Sequence, residues 1–201
     1  MRAMPEDMTS TTIIRQPSAL SITYPLDEFY ARAGLSLPPW QQIDGEEMPE
    51  PYKTLLVHQN DMTPTLEKFH ARATHLRVLR RERRGEDYFR EVALQLEDTE
   101  QPVEFGAIRI HLTLFAPPAR QAILQERWPL GHILKEYDIP HASRPAGYLR
   151  VASDRLIDQV LGLSGAHLLY GRRNTLFDSA ERPLAEIVEI LPPVRAQKDV
   201  L

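Results

Sequence analysis

The sequence contains no cysteine, which excludes disulfide bonds, a cysteine nucleophile and cysteine-ligated zinc or iron–sulfur centres. It also has no excess of basic residues, because 24 lysines and arginines stand against 28 aspartates and glutamates. This balance does not favour a nucleic-acid partner. No apolar run is long enough for a signal peptide or a membrane span. We therefore expect a soluble, cytoplasmic protein with neither nucleic acid nor membrane as a partner.

Glycine is scarce as well, with 9 glycines against 17 prolines in 201 residues. This ratio predicts stiff loops around an ordered core. The length suits one domain. Residues 1–21 show no apolar periodicity, so we expect a flexible N-terminal lead followed by a single domain over residues 22–201. The sequence does not fix the oligomeric state, and a monomer is compatible with it.

Apolar alternation predicts strands, and helical spacing with capping residues predicts short helices. The predicted strands are 76–80, 88–96, 104–115, 148–152, 168–177 and 183–192. The predicted helices are 26–34, 63–70, 120–128, one that begins at 129, and 154–161. Two antiparallel hairpins follow, because short polar turns join 76–80 to 88–96 and 168–177 to 183–192.

Arg90 lies on the apolar face of the strand 88–96. Strand alternation places it beside Tyr88, Val92 and Leu94. A guanidinium keeps its charge in proteins and is costly to bury without an acceptor. The acceptor is a protein carboxylate, solvent at a sheet edge, or the carboxylate of a bound ligand, and the strand alone leaves these three open.

The last predicted strand is apolar on both faces and carries one glutamate on each, Glu186 and Glu189. A buried carboxylate needs hydrogen-bond donors or a raised pKa. Each glutamate can pair with an arginine of the neighbouring strand, Arg172 or Arg173. The pattern therefore leaves open whether either of them faces a ligand.

Other reactive side chains do not form a recognised catalytic or metal-binding pattern. Ser143 follows His141 closely, but no Gly-x-Ser-x-Gly elbow accompanies them, so a hydrolase is not predicted. The histidines lack the spacing of a zinc site, so neither a metal nor another cofactor is expected. The helix that begins at Pro129 offers open amides at Leu130 and Gly131, which suit a carboxylate.

Five pieces of the chain, in this order, resemble the chorismate pyruvate-lyase family. They are Asp61-Met62-Thr63, Tyr88-Phe89-Arg90-Glu91-Val92, Pro129-Leu130-Gly131, Tyr170-Gly171-Arg172-Arg173-Asn174, and Pro183-Leu184 with Glu189 and Leu191-Pro192. Together they span residues 60–193, about two thirds of the chain. The resemblance implies an α+β fold with a single antiparallel β-sheet flanked by helices. It also implies a cofactor-independent lyase that converts chorismate to 4-hydroxybenzoate and pyruvate.

The same resemblance implies a role for each site residue. Arg90 would hold the ring carboxylate, helped by the backbone N–H groups of Met62 and Leu130. Glu189 would hydrogen-bond the oxygen at the far end of the ring and donate a proton to the ether oxygen as its bond breaks. Arg172 or its neighbour would pair with the second carboxylate. On this basis Arg90 and Glu189 are the predicted catalytic residues.

Two alternatives to this interpretation remain. A shift of one residue in the last strand would place Glu186 rather than Glu189 in the site. The chain also departs from the family over residues 22–57 and 134–170, which indicates a divergent branch. It could then be a non-catalytic module of the same fold that binds an aromatic carboxylate, like the effector domains of certain bacterial transcription regulators. No helix-turn-helix pattern precedes residue 60.

Overall fold

A computed structural model describes residues 20–194, in which an antiparallel sheet carries helices on both faces. The predicted lead falls almost entirely on residues 1–19, which lie outside the described residues, as does the end of the predicted domain, 195–201. Within residues 20–194, no helix combines the length and the hydrophobicity needed to cross a membrane.

The sheet has seven strands in the order β1-β5-β6-β7-β4-β3-β2, and every neighbouring pair is antiparallel. The strands are β1 (Trp40–Ile43), β2 (Thr74–Arg84), β3 (Asp87–Leu96), β4 (Pro102–His111), β5 (Ala142–Ala152), β6 (Leu168–Phe177) and β7 (Pro183–Leu191). The α-helices are α1 (Leu26–Arg32), α2 (Tyr52–Leu56), α3 (Met62–His70), α4 (Pro117–Gln125), α5 (Leu130–Glu136) and α6 (Arg155–Leu161). This confirms the predicted α+β class and both predicted hairpins.

The first hairpin is longer than predicted, because β2 continues to Arg84 and only two residues form its loop. Gly85 takes φ 59° there, a left-handed conformation that glycine adopts without steric cost. The guanidinium carbon of Arg84 lies 4.0 Å from the centre of the Phe89 ring, and this arginine also pairs with Glu28. These contacts hold the end of β2 in place, in a segment that was predicted to be part of a polar turn.

Two parts of the sheet escaped prediction. β5 extends over Ala142–Ala152 although its first half was predicted to be a loop, since the register shifts between Pro145 and Gly147 and accommodates the proline. β1 has only four residues and occupies the sheet edge, where it pairs with β5. A strand this short leaves little apolar alternation to recognise.

The core divides into three apolar clusters. One fills the face covered by α1 and α6 and includes Phe105, Val188 and Ile190. On the opposite face, a second cluster packs α4 and α5 against the sheet, and a third packs α2 and α3 against it. The boundary between the second and third clusters is where the cavity described next lies.

Candidate ligand-binding cavity

A cavity lies between the sheet and the first turns of α3 and α5. Strands β3, β4, β7 and β6 form its floor, and the two helices form its roof. It comprises about 550 Å³ of space that contains no protein atoms, its opening to solvent included. Its apolar lining includes Leu76, Val92, Leu94, Ile108, Leu134 and Ile187.

Strand register arranges the floor in rows that cross the sheet. The first row contains, from β3 to β6, Arg90, Ile108, Ile187 and Asn174. The second row contains Val92, Gly106, Glu189 and Arg172. The third row begins with Leu94 and Glu104. Successive rows are two residues apart along the strands, or about 7 Å. Arg90 and Glu104 therefore stand at opposite ends of the floor.

Arg90 is 1% exposed and lines the cavity. Its Nε and Nη1 have no hydrogen-bond partner among the described residues. Burial lowers the pKa of Arg90 to about 10, although Tyr88 and Glu126 oppose that shift, so the guanidinium still carries its proton at neutral pH. An unpaired buried charge is rare because each lost hydrogen bond and the lost hydration are costly.

Glu104 stands at the other end of the floor and was missed by sequence reasoning. An ideal Cβ on Gly106 would lie 3.0 Å from Glu104 Oε1, so the carboxyl group folds back over that glycine. Burial, and then the charge of Glu189, raises the pKa of Glu104 well above its usual value, while Arg172 opposes the shift. The signal was present, because the alternation that turned Ile108 inward also turns Gly106 and Glu104 inward.

Glu189 lies on the cavity floor and pairs with Arg172, whose Nε is 2.5 Å from Glu189 Oε2. Arg172 is fully buried beside the cavity and does not line it. Its remaining N–H groups donate to the carbonyl oxygens of Leu56, His58 and Asn60, at 3.4, 3.1 and 3.0 Å. These contacts attach residues 56–60 to β6 and leave Arg172 positioned to orient Glu189, not to reach a ligand.

The alternative glutamate, Glu186, lies on the opposite face of the sheet from the cavity. Its Oε2 is 3.1 Å from His111 Nε2, and its Oε1 is 3.9 Å from Arg109 Nη1. Arg173 shares that face and donates to Thr175 Oγ1 at 2.9 Å. The register therefore brings Glu189 to the cavity and keeps Glu186 and Arg173 away from it. His111 is partly buried between its two acidic partners, Asp87 and Glu186.

Met62 and Leu130 are the first residues of α3 and α5, and both side chains line the cavity. The cap of α3 is Asp61, two residues earlier than the predicted Thr63. A Cβ on Gly131 would lie 3.1 Å from Thr63 Oγ1, so the glycine lets the two helices cross closely. Participation of the Met62 and Leu130 amides in binding remains a prediction.

Asp61 connects the cavity to the outer surface. Its Oδ2 is 2.9 Å from His141 Nε2, and its buried Oδ1 has no partner among the described residues. The hydrogen bond to Asp61 raises the pKa of His141, although burial opposes the shift. The pair thus fastens the start of α3 to the segment that precedes β5.

This pair predicts a pH-dependent contribution to stability. A raised folded-state pKa means that the charged histidine stabilises the fold below its unfolded pKa of about 6.5, and that this stability is lost as the pH rises through the folded value. We expect His141→Gln to lower the free energy of unfolding by about 1 kcal/mol at acidic pH and to have little effect at alkaline pH. Urea unfolding of both proteins across this range measures the difference. A difference that is constant with pH would contradict the charged pair.

Comparisons with known proteins support the fold and correct the predicted activity. No protein-family model matches the sequence, and no curated protein matches it. The crystal structure of PhnF from Mycobacterium smegmatis matches with 8% identity and a TM-score of 0.50, over 89% of this chain and 100% of that one. The effector domain of the same protein matches with 9% identity and a TM-score of 0.49, over 65% and 87%. A GntR-family transcriptional regulator from Bacillus cereus matches with 11% identity and a TM-score of 0.43, over 64% and 98%.

The fold is thus the predicted chorismate lyase-like one, and the match to PhnF over 89% of this chain supports it. The prediction of a carbon–oxygen lyase is wrong, because the structure that matches over 89% of this chain is that of PhnF and not that of a lyase. The geometry supplies a physical reason: Glu189, the predicted proton donor, is bound to Arg172. The catalytic roles predicted for Arg90 and Glu189 are withdrawn accordingly.

Proposed function

We propose that this protein is a non-catalytic binding module for a small molecule that carries a carboxylate on an aromatic ring. The observation that carries the proposal is Arg90, a buried guanidinium on the floor of a largely apolar cavity, whose Nε and Nη1 have no hydrogen-bond partner among the described residues. A bound carboxylate accepts two parallel hydrogen bonds from a guanidinium, which satisfies both the charge and the donors.

The rest of the cavity suits an aromatic ring. Val92 and Ile108 flank Arg90 on the floor, and Leu130 and Leu134 face them from the roof. These side chains offer the apolar surface that a flat ring buries, at about 25 cal/mol per Å² of apolar area removed from water. Beyond the ring lie the polar groups of the second and third rows, of which Glu189 is the predicted partner of a ring substituent.

The resemblance to the chorismate pyruvate-lyases supports a divergent origin for this site. We infer that the chain keeps the carboxylate anchor of that family, Arg90, and uses it to retain a ligand instead of converting one. The fold that the chain shares with PhnF, a protein that has an effector domain, supports a role in sensing such a ligand. If a bound ligand changes the conformation of the module, we expect the change in the two helices of the roof, α3 and α5.

Calorimetric titration with benzoate and 4-hydroxybenzoate tests the proposal. We expect one molecule to bind per chain, and Arg90→Met to weaken binding about a hundredfold or more, since a buried charge-assisted contact contributes several kcal/mol. Benzamide, which has the same shape without the charge, should bind weakly to both proteins. Arg77→Met is the matched control, because Arg77 is exposed on the neighbouring strand β2. Equal affinity of wild type and Arg90→Met for benzoate would overturn the proposal.

A further inference from the structure

Two carboxyl groups share one end of the cavity floor. Gly106 lies directly opposite Glu189 across the β4–β7 pair. The Glu104 side chain turns back over Gly106, within 3.0 Å of the position that a Cβ would occupy. Because Gly106 has no side chain, the carboxyl group of Glu104 reaches the row that holds Glu189.

Within residues 20–194, one guanidinium, that of Arg172, pairs with one of these two acids, Glu189. Arg172 places its Nε against Glu189 and its other N–H groups against backbone carbonyls. Glu104 is 5% exposed, and its Oε2 has no partner among the described residues. This end of the cavity therefore holds two carboxyl groups and one guanidinium, and burial, followed by the charge of Glu189, raises the pKa of Glu104.

At the opposite end of the cavity floor, the Arg90 guanidinium has no carboxylate partner among the described residues. Arg90 and Glu104 are separated by two rows of the floor, so their Cα atoms are roughly 14 Å apart and the two side chains do not satisfy each other. Neither has a hydrogen bond to the other among the described residues. The cavity thus presents an unpaired cation at one end and an unpaired acid at the other.

We propose that Glu104 is a specificity-determining residue that receives a protonated amino group, so that the ligand is an amino carboxylate with its two charges at opposite ends. The proposal rests on the proposed function for the place of the carboxylate at Arg90. A neutral hydroxyl group could form a hydrogen bond with the carboxyl group of Glu104, but it would not supply a second positive charge for the two acids. When the ammonium group binds, it pairs with Glu104 as a carboxylate, which favours release of a proton from this side chain to solvent.

Three para-substituted benzoates test the inference, since they differ only at the far end: 4-methylbenzoate, 4-(hydroxymethyl)benzoate and 4-(aminomethyl)benzoate. In the wild type we expect the amine to bind about tenfold or more tightly than the methyl compound. Titrations in phosphate and in Tris should show more proton release with the amine than with the methyl compound. In Glu104→Gln both the preference and the proton release should disappear, while 4-methylbenzoate binds as before.

The controls separate this inference from the proposed function. Glu186→Gln, a change of the buried glutamate on the other face of β7, should leave all three affinities unchanged. Gly106→Ala, which displaces the Glu104 carboxyl group, should reduce the preference for the amine as a second, independent variant. Equal binding of the hydroxyl and amine compounds, or a preference that survives in Glu104→Gln, would overturn the inference alone. No binding of any of the three would overturn the proposed function itself.

Discussion

Replacing Arg172 with methionine is expected to lower the free energy of unfolding by about 3–5 kcal/mol. The change leaves the Glu189 carboxylate buried without its cation, and it removes the donors that hold the carbonyl oxygens of residues 56–60. Breaking one side of a buried ion pair is costly because the remaining charge has neither water nor a partner.

Urea unfolding of the wild type, Arg172→Met and the double variant Arg172→Met/Glu189→Leu measures this effect. The double variant should be less destabilised than Arg172→Met alone, since it no longer contains the isolated carboxylate. Arg77→Met serves again as the control for the same substitution at an exposed site. A loss below about 1 kcal/mol in Arg172→Met would mean that the ion pair and its carbonyl contacts contribute little.

Replacing Arg90 with methionine is expected to have the opposite effect and to raise the free energy of unfolding of the ligand-free protein by about 1–4 kcal/mol. Both arginines are fully buried, but Nε and Nη1 of Arg90 have no hydrogen-bond partner in residues 20–194, whereas each guanidinium nitrogen of Arg172 has one. Methionine fills a similar volume without a charge to desolvate, and it adapts to irregular space. A residue that costs stability and serves the ligand is typical of a binding site.

The same unfolding experiment with ligand present provides the internal check. Benzoate at a hundred times the wild-type dissociation constant should stabilise the wild type by about 2.7 kcal/mol and Arg90→Met, which binds about a hundredfold more weakly or worse, by no more than about 0.4 kcal/mol. If Arg90→Met is instead destabilised as strongly as Arg172→Met, then the protein itself satisfies Arg90. The case for a ligand carboxylate would fall with that result.

Sequence patterns predicted the centre of the sheet better than its edges. β6 and β7 have the predicted bounds within one residue, because long apolar runs on either side of a polar turn leave few alternatives. Arg90 was predicted to face inward because strand alternation is strict. The first half of β5 was missed, since its pairing with β6 overrides the local effect of Pro145.

The partners of the site residues could not be predicted in the same way. Whether Arg172 or Arg173 accompanies Glu189 depends on the register between β6 and β7, which one residue of slip would reverse. The contact of Arg172 with residues 56–60 joins parts of the chain more than a hundred positions apart. Glu104 could have been recognised by extending the alternation of β4 backwards from Ile108, the reasoning that identified Arg90.

The two sides of the cavity differ in how readily they can deform. Each of the four floor strands is hydrogen-bonded to a neighbour on both sides, so the floor belongs to the part of the molecule that opens only with the sheet. The roof consists of two short helices that meet at Gly131 and rest on the floor through side chains. We therefore expect the motion that admits a ligand, and any change that ligand binding transmits to the surface, to involve α3 and α5. The Asp61–His141 pair would restrain this motion, because it attaches the start of α3 to the segment before β5.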